Sequence, residues 1–198
     1  MEPLDKIRIA VVIGTRRPGN YTSMAARLVV DELERDADVA VEVFDPQNRT
    51  LPFPGEEPAS ADALALQKLI RESAGVVLAT PEYHGSLPAM MKLILENLGF
   101  PSALTTKPVA LLGVAAGAIG AIKSLEQLRS IGSHVGAIVL PGAVSVAGVQ
   151  KAFDRDGTCL DPAVEKRVRS VATGLLGYLH RHVCPALTLE RMVREPEA

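Results

Sequence analysis

Strand-like and helix-like segments alternate five times along this chain, and that alternation constrains its fold more than any single residue does. Ile7 to Ile13 is β-branched, uncharged after Arg8 and closed by Gly14, the pattern of a buried strand. A helix is expected from about Ser23 to Arg35, where Ala26, Val29, Val30 and Leu33 recur at i, i+3, i+4 and i+7. Val39 to Phe44 reads as the second strand. Asp45 to Ser60 carries Pro46, Pro52, Pro54 and Pro58, has no period, and reads as a loop. Ser60 is placed to cap a helix over Ala61 to Glu72, with Leu66, Leu69 and Ile70 inward. Val76 to Thr80 is the third strand. Pro88 suits the first turn of a helix reaching about Leu98, with Met91, Ile94, Leu95 and Leu98 as its stripe. Val109 to Val114 is the fourth strand, and Ile119 to Ile131 a helix with Ile122, Leu125 and Leu128 inward. Ala137 to Leu140 is the fifth strand. Pro141 to Asp161 is expected to be irregular, apart from a short helix near Gln150. The last helix runs from about Pro162 to His182, with Val164, Val168, Val171, Ala172, Leu175 and Leu179 on one face.

Five alternations predict a parallel sheet whose right-handed crossovers cover both faces. Five strands favour the order 2-1-3-4-5 over the six-stranded dinucleotide fold. The expected architecture is therefore a flavodoxin-like three-layer α/β sandwich around a five-stranded parallel sheet. A chain of 198 residues suffices for one domain and is short for two. Residues 1–182 are expected to form that domain, and 183–198 a mobile tail.

A net charge of −2 offers no electrostatic case for binding nucleic acid or an anionic membrane. The four His are scattered, and Cys159 and Cys184 have no metal-ligand spacing, so no metal site is expected. No apolar run approaches the ~20 residues of a membrane span. Met1 to Lys6 lacks the apolar core of a secretory signal, which points to reduced thiols and a cytoplasmic location.

Open α/β sheets bind ligands outside the carboxyl ends of their strands. The loop after the first strand, Gly14-Thr15-Arg16-Arg17-Pro18-Gly19-Asn20-Tyr21-Thr22, begins like a nucleoside-triphosphate loop. It then holds Asn20 and Tyr21 where Lys and Ser or Thr are required. What remains is a turn of short donors opening on a helix N-terminus, suited to one phosphate monoester. Thr15, Asn20 and Thr22 can donate, and an arginine can grip phosphate bidentately. A capped turn with two solvated arginines explains the same residues.

The loop after the third strand is Thr80-Pro81-Glu82-Tyr83-His84-Gly85-Ser86. Pro81 favours an extended Thr80, and Gly85 lets backbone approach a flat ligand. Amides from Glu82 to Gly85 are expected to face the polar edge of an isoalloxazine and to stabilise negative charge there. Tyr83 either packs on the ring or fills the loop. Glu82 suits a helix dipole, an interface or a ligand equally well. His84 is not required as an acid or base, because flavin reduction by hydride needs no side-chain base. After the fourth strand, Ala115 to Gly120 is a run of small residues. It clears space for the ring and a nicotinamide, or simply packs tightly.

On Gly14 through Thr22, on Pro81 through Ser86, and on Gly117 and Gly120, the chain resembles the NAD(P)H-dependent FMN reductases. These belong to the flavodoxin-like superfold and include quinone, azo-dye and chromate reductases. The resemblance runs from Ile7 to about Leu179. It implies phosphate contacts at Thr15, Arg17, Asn20, Tyr21 and Thr22. It also implies ring contacts at Pro81, Glu82, Tyr83, His84 and Gly85, with Ala116, Gly117 and Gly120 from the third loop. The implied cofactor is FMN and the donor NAD(P)H, with hydride passing to flavin N5 and no catalytic side chain. The implied acceptor is a small molecule: a quinone, an azo compound, a metal oxyanion or free flavin. A homodimer or homotetramer is implied as well, with Met91, Leu95 and Leu98 as candidate contacts. Thr15, Asn20, Thr22 and Leu93 depart from the family's usual Ser, Ser, Asn and Asn. A non-catalytic electron carrier on this fold fits less well, since such carriers are acidic and aromatic-rich; here there is no Trp and there are three Tyr. A phospho-receiver needs an acidic pair where Gly14-Thr15 stands and an Asp where Thr80 stands.

Overall fold

The five apolar runs become strands of one sheet. In the computed structural model, which describes residues 6–56 and 60–186, these are β1 (Ile7–Ile13), β2 (Val39–Phe44), β3 (Gly75–Pro81), β4 (Pro108–Val114) and β5 (Ile138–Val139). All pairings are parallel and the order is β2-β1-β3-β4-β5, the flavodoxin-like order. Every residue of β3 and of β4 is buried. The period-2 alternation sends Ile9, Val11, Val77 and Leu112 into one core and Val12, Leu78, Val109 and Leu111 into the other. Helices α1 (Tyr21–Leu33) and α6 (Pro162–Tyr178) cover the first face. Helices α2 (Ala61–Glu72), α3 (Ala89–Glu96) and α4 (Ile122–His134) cover the second.

The structure departs from the sequence reading where a cap or a turn overrides a periodic stripe. Helix α1 begins two residues earlier than expected because Asn20 caps it, its Oδ1 accepting from Ser23 N at 2.7 Å. Pro88 is the N-cap of α3 rather than part of its first turn, and α3 stops at Glu96. Helix α4 begins three residues later than expected, because Gly120 takes a left-handed φ of 80° and closes a turn on Gly117 O. That shift leaves Ile119 and Ile122 outward at 79% and 46% exposure, whereas Leu125 and Leu128 are buried as expected. The fifth strand is shorter than the Ala137–Leu140 segment, since Pro141-Gly142 interrupts the ladder. A sixth strand, β6 (Val144–Val146), then resumes pairing with β4 inside a stretch expected to be irregular. The short helix near Gln150 is α5 (Val149–Ala152). Beyond Tyr178 the last helix widens into a π-turn over Leu179–Val183, and residues 187–198 of the segment read as a tail lie outside the described residues. Met91 and Leu98, candidate subunit contacts, are 0% and 1% exposed inside this chain's own core.

The proline-rich loop is held to α2 by a carboxylate. Asp62 accepts from Thr50 N at 2.8 Å and from the Arg49 guanidinium at 3.0 Å, which holds its carboxyl below the ordinary carboxylate value. A depressed folded-state pKa stabilises the fold above the unfolded value, and that contribution is lost as pH falls through the folded one. Acidification below about pH 4 is therefore expected to lower the melting temperature of the wild type more steeply than that of Asp62→Asn. Melting curves from pH 6 to 2.5 test this; parallel profiles for the two proteins would remove Asp62 from the account.

Candidate active site

Strands β1, β3 and β4 are neighbours, so the loops leaving their carboxyl ends line one crevice. Gly14 permits this closeness: a Cβ there would lie 3.0 Å from Ala79 O and 2.5 Å from Met91 Cε. Thr15 is buried at 3% exposure, and its hydroxyl takes part in two hydrogen bonds. One joins it to the Tyr83 hydroxyl at 3.2 Å; the other accepts from Arg17 N at 3.3 Å. The Thr15–Tyr83 bond ties the first loop to the second.

The first loop is shaped around Asn20. Its Oδ1 caps α1, and its Nδ2 donates to Arg17 O at 2.7 Å, so both ends of the amide are spent inside the loop. Arg16 and Arg17 are exposed, with no ion pair to the described residues. The amides of Tyr21 and Thr22 open the first turn of α1, where an intrahelical acceptor is lacking by geometry. Thr22 is 1% exposed, and its hydroxyl bonds to none of the described residues. No fully buried side-chain polar atom among them lacks a partner, so this hydroxyl is the part of Thr22 left open. The α1 N-terminus thus offers amides and an open hydroxyl, with two exposed arginines in the loop before it that pair with no anion among the described residues, donor chemistry of the kind that suits a phosphate.

The second loop is a tight turn. Tyr83 N donates to Ser86 O at 3.1 Å and Ser86 N to Tyr83 O at 3.0 Å, while His84 and Gly85 both have positive φ, 51° and 70°. Glu82 N donates to Val114 O at 3.0 Å. Of the four amides expected to face a ring, those of Glu82 and Tyr83 are therefore spent in the sheet and the turn. Among the described residues none accepts from the amides of His84 and Gly85, which form the tip. Lys123 lies over that tip: a Cβ built on Gly85 would come 3.4 Å from its Nζ.

The Glu82 carboxylate caps the first turn of α4, accepting from Ser124 N at 3.2 Å. Ser124 is fully buried, and its one hydroxyl proton is shared between Ser86 O at 2.8 Å and Pro81 O at 3.2 Å. Gln127 Oε1 accepts from Ser86 Oγ at 2.9 Å and Leu87 N at 3.0 Å. Sequence reasoning missed both residues. A signal existed for Ser124: it is a polar residue inside the inward stripe of Ala121, Leu125 and Leu128. In the third loop Ala116 and Gly117 are exposed and a Cβ on Gly117 would meet nothing within 4 Å. Gly120 is buried at the turn, where a Cβ would overlap Ser145 Oγ. Pro81 is also buried, paired with Val114 as the last residue of β3.

The strand order, with three loops gathered at the carboxyl ends of β1, β3 and β4, defines a flavodoxin-like α/β protein. The sequence matches the NADPH-dependent FMN reductases over residues 7–151, and the chain belongs to that family. It is 30% identical over 169 residues to an NADPH azoreductase of Bacillus sp. (strain OY1-2), covering 83% of this chain and 90% of that protein. An FMN-dependent NADPH-azoreductase of Staphylococcus aureus is 28% identical, covering 75% and 81%. Among solved structures, FerB, a flavoenzyme NAD(P)H:(acceptor) oxidoreductase from Paracoccus denitrificans, shares the fold. Its TM-score is 0.72 at 21% identity, covering 88% of this chain and 98% of that one. The protein is accordingly an FMN-dependent, NAD(P)H-dependent oxidoreductase.

Proposed function

We propose that the three loops hold FMN and that this protein reduces small electron acceptors of the quinone, azo-compound, metal-oxyanion or free-flavin class with NAD(P)H. The α1 N-terminus, with the open Thr22 hydroxyl in its first turn and Arg17 unpaired among the described residues in the loop before it, carries this reading, because these groups suit a single terminal phosphate. When bound, FMN supplies the two-electron chemistry, taking hydride from the nicotinamide and releasing electrons to the acceptor. Arg17, Thr22 and the first amides of α1 hold the phosphate. Thr15, Asn20 and Tyr21 shape its seat, Thr15 through its bond to Tyr83. The amides of His84 and Gly85 face the polar edge of the ring, where negative charge grows on reduction. Ala116 and Gly117 leave room over the ring, while Pro81, Glu82 and Gly120 set the loops on their strands and helices. The azo class is favoured because the relatives at 30% and 28% identity are both azoreductases.

Among the described residues no helix is long and apolar enough to cross a membrane, which suits small diffusible partners and the cytoplasmic location we propose. Half-buried Leu95, Ile131 and Val135 line a groove between α3 and α4, a face we assign to a homodimer or dimer of dimers.

The decisive experiment is an absorption spectrum of the purified protein followed by anaerobic titration with NADPH and NADH. A flavin band bleached by either nucleotide supports the reading; a protein that neither carries nor takes up FMN ends it. One open ring face also predicts ping-pong use of one shared site, with nicotinamide leaving before an acceptor enters. Initial-rate plots at several acceptor concentrations are expected to be parallel, with excess acceptor competing against NAD(P)H. Intersecting lines would mean separate donor and acceptor sites.

A further inference from the structure

We propose that Ser124 and Gln127 of α4 are positioning residues that hold the His84–Gly85 tip in its left-handed conformation, so that its amides are pre-aimed at the flavin. The proposal rests on the FMN reading above. It starts from a cost: His84 is a non-glycine residue at φ 51°, and such a conformation persists only where its surroundings over-determine it. The Tyr83–Ser86 pair closes the turn but does not anchor it to the protein. Thr15 holds the Tyr83 side chain and Val114 O takes the Glu82 amide; every other anchor of the loop comes from one helix. On the near flank the Glu82 carboxylate accepts from Ser124 N, and Ser124 Oγ returns a bond to Pro81 O. On the far flank Ser124 Oγ reaches Ser86 O, and Gln127 Oε1 takes both Ser86 Oγ and Leu87 N. Ser124 thereby touches both ends of the loop from a fully buried position, and only the tip is left unheld.

Neither residue is spent on anything else. Gln127 is exposed, so burial gives no reason for its carbonyl to sit on two donors of this loop. A buried Ser in an apolar stripe costs stability unless its hydroxyl is bonded, and both acceptors of Ser124 belong to the ring loop. Donors that are already aimed favour the state in which charge has developed, so their loss weakens the reduced cofactor more than the oxidised one.

The test uses Ser124→Ala, Ser124→Thr and Gln127→Ala in the full chain. In flavin-free protein, hydrogen exchange of the Tyr83 and Ser86 amides is expected to quicken at least tenfold in both alanine variants and to return toward wild type in Ser124→Thr. With FMN bound, the ratio of affinities for reduced over oxidised cofactor is expected to fall about tenfold. For a two-electron couple that is a potential lower by about 30 mV. The preference for FMN over riboflavin, set at the other loop, should persist. Unchanged exchange and an unchanged potential in folded Gln127→Ala, or in folded Ser124→Ala, would overturn the clamp while leaving the FMN reading intact. A wild type that binds no FMN would sink the reading itself, and the aim of the tip with it. Because Gln127 is exposed, its variant tests the clamp even if the buried Ser124→Ala fails to fold.

Discussion

FMN is expected to bind this protein at least a hundredfold more tightly than riboflavin, and more tightly than FAD. Riboflavin lacks the anion that we propose the α1 N-terminus, the Thr22 hydroxyl and Arg17 hold, and the adenylate of FAD must escape the turn. A charge-assisted hydrogen bond contributes about 1.5–3 kcal/mol, so two of them supply roughly 3 kcal/mol or more. At about 1.4 kcal/mol per decade this is on the order of a hundredfold. Arg17→Ala should remove one share, about ten- to a hundredfold for FMN, and leave riboflavin affinity unchanged. Arg16→Ala should lose much less. Quenching of flavin fluorescence measures all of these. Equal affinities for FMN and riboflavin would discard the phosphate seat, and equal losses for the two arginines would discard the choice of Arg17.

The largest stability effect away from the loops is expected at Gly113. This residue is buried in β4 where α4 lies against the sheet, and a Cβ there would stand 2.8 Å from Ala121 Cβ and 2.9 Å from Leu125 Cγ. Gly113→Val must push α4 outward or force its side chains off rotamer, at a cost of about 3 kcal/mol. For a domain of this size that is a fall in melting temperature of roughly 6–12 °C. Because α4 carries Ser124 and Gln127, FMN affinity should fall with it. Gly117→Ala is the counterpart: its Cβ meets open space, so stability should change by no more than about 0.5 kcal/mol. Thermal melts of the two variants decide it. A Gly113→Val protein as stable as wild type would mean that α4 sits on β4 with slack the packing does not show.

The elements most legible in the sequence are those whose side chains obey one period from end to end. The runs Ile7–Ile13 and Val39–Phe44 appear as strands with those same limits, and Ser60 caps α2 as its position predicts, its Oγ accepting from Ala63 N at 3.0 Å. Parallel alternation was enough to arrive at the strand order, because crossover handedness and burial leave few alternatives. The turns of the first two loops were legible for a similar reason: Gly19 and Gly85 take the positive φ that glycine permits.

What the tertiary structure decided is everything that depends on a partner far along the chain. Glu82 stands in the ring motif, yet its carboxylate faces Ser124, 42 residues on, and only the meeting of β3 with α4 reveals that it caps a helix. The sheet and the turn take up the amides of Glu82 and Tyr83, while those of His84 and Gly85 meet no acceptor among the described residues. Helix α4 starts at Ile122 because Gly120 turns the chain at positive φ and Ser145 Oγ accepts from Ala121 N at 2.9 Å, a contact no local stripe encodes, and so the hydrophobic pattern misplaced both Ile119 and Ile122. β6 was invisible for lack of length: three residues make no period, and Val144–Val146 becomes a strand only because β4 offers it an edge. A sequence determines by itself what each residue requires of its own backbone and of neighbours one turn away. Which donor meets which acceptor across the sheet is set by packing, since the hydrogen bond forms only after the chain has brought both ends within 3 Å.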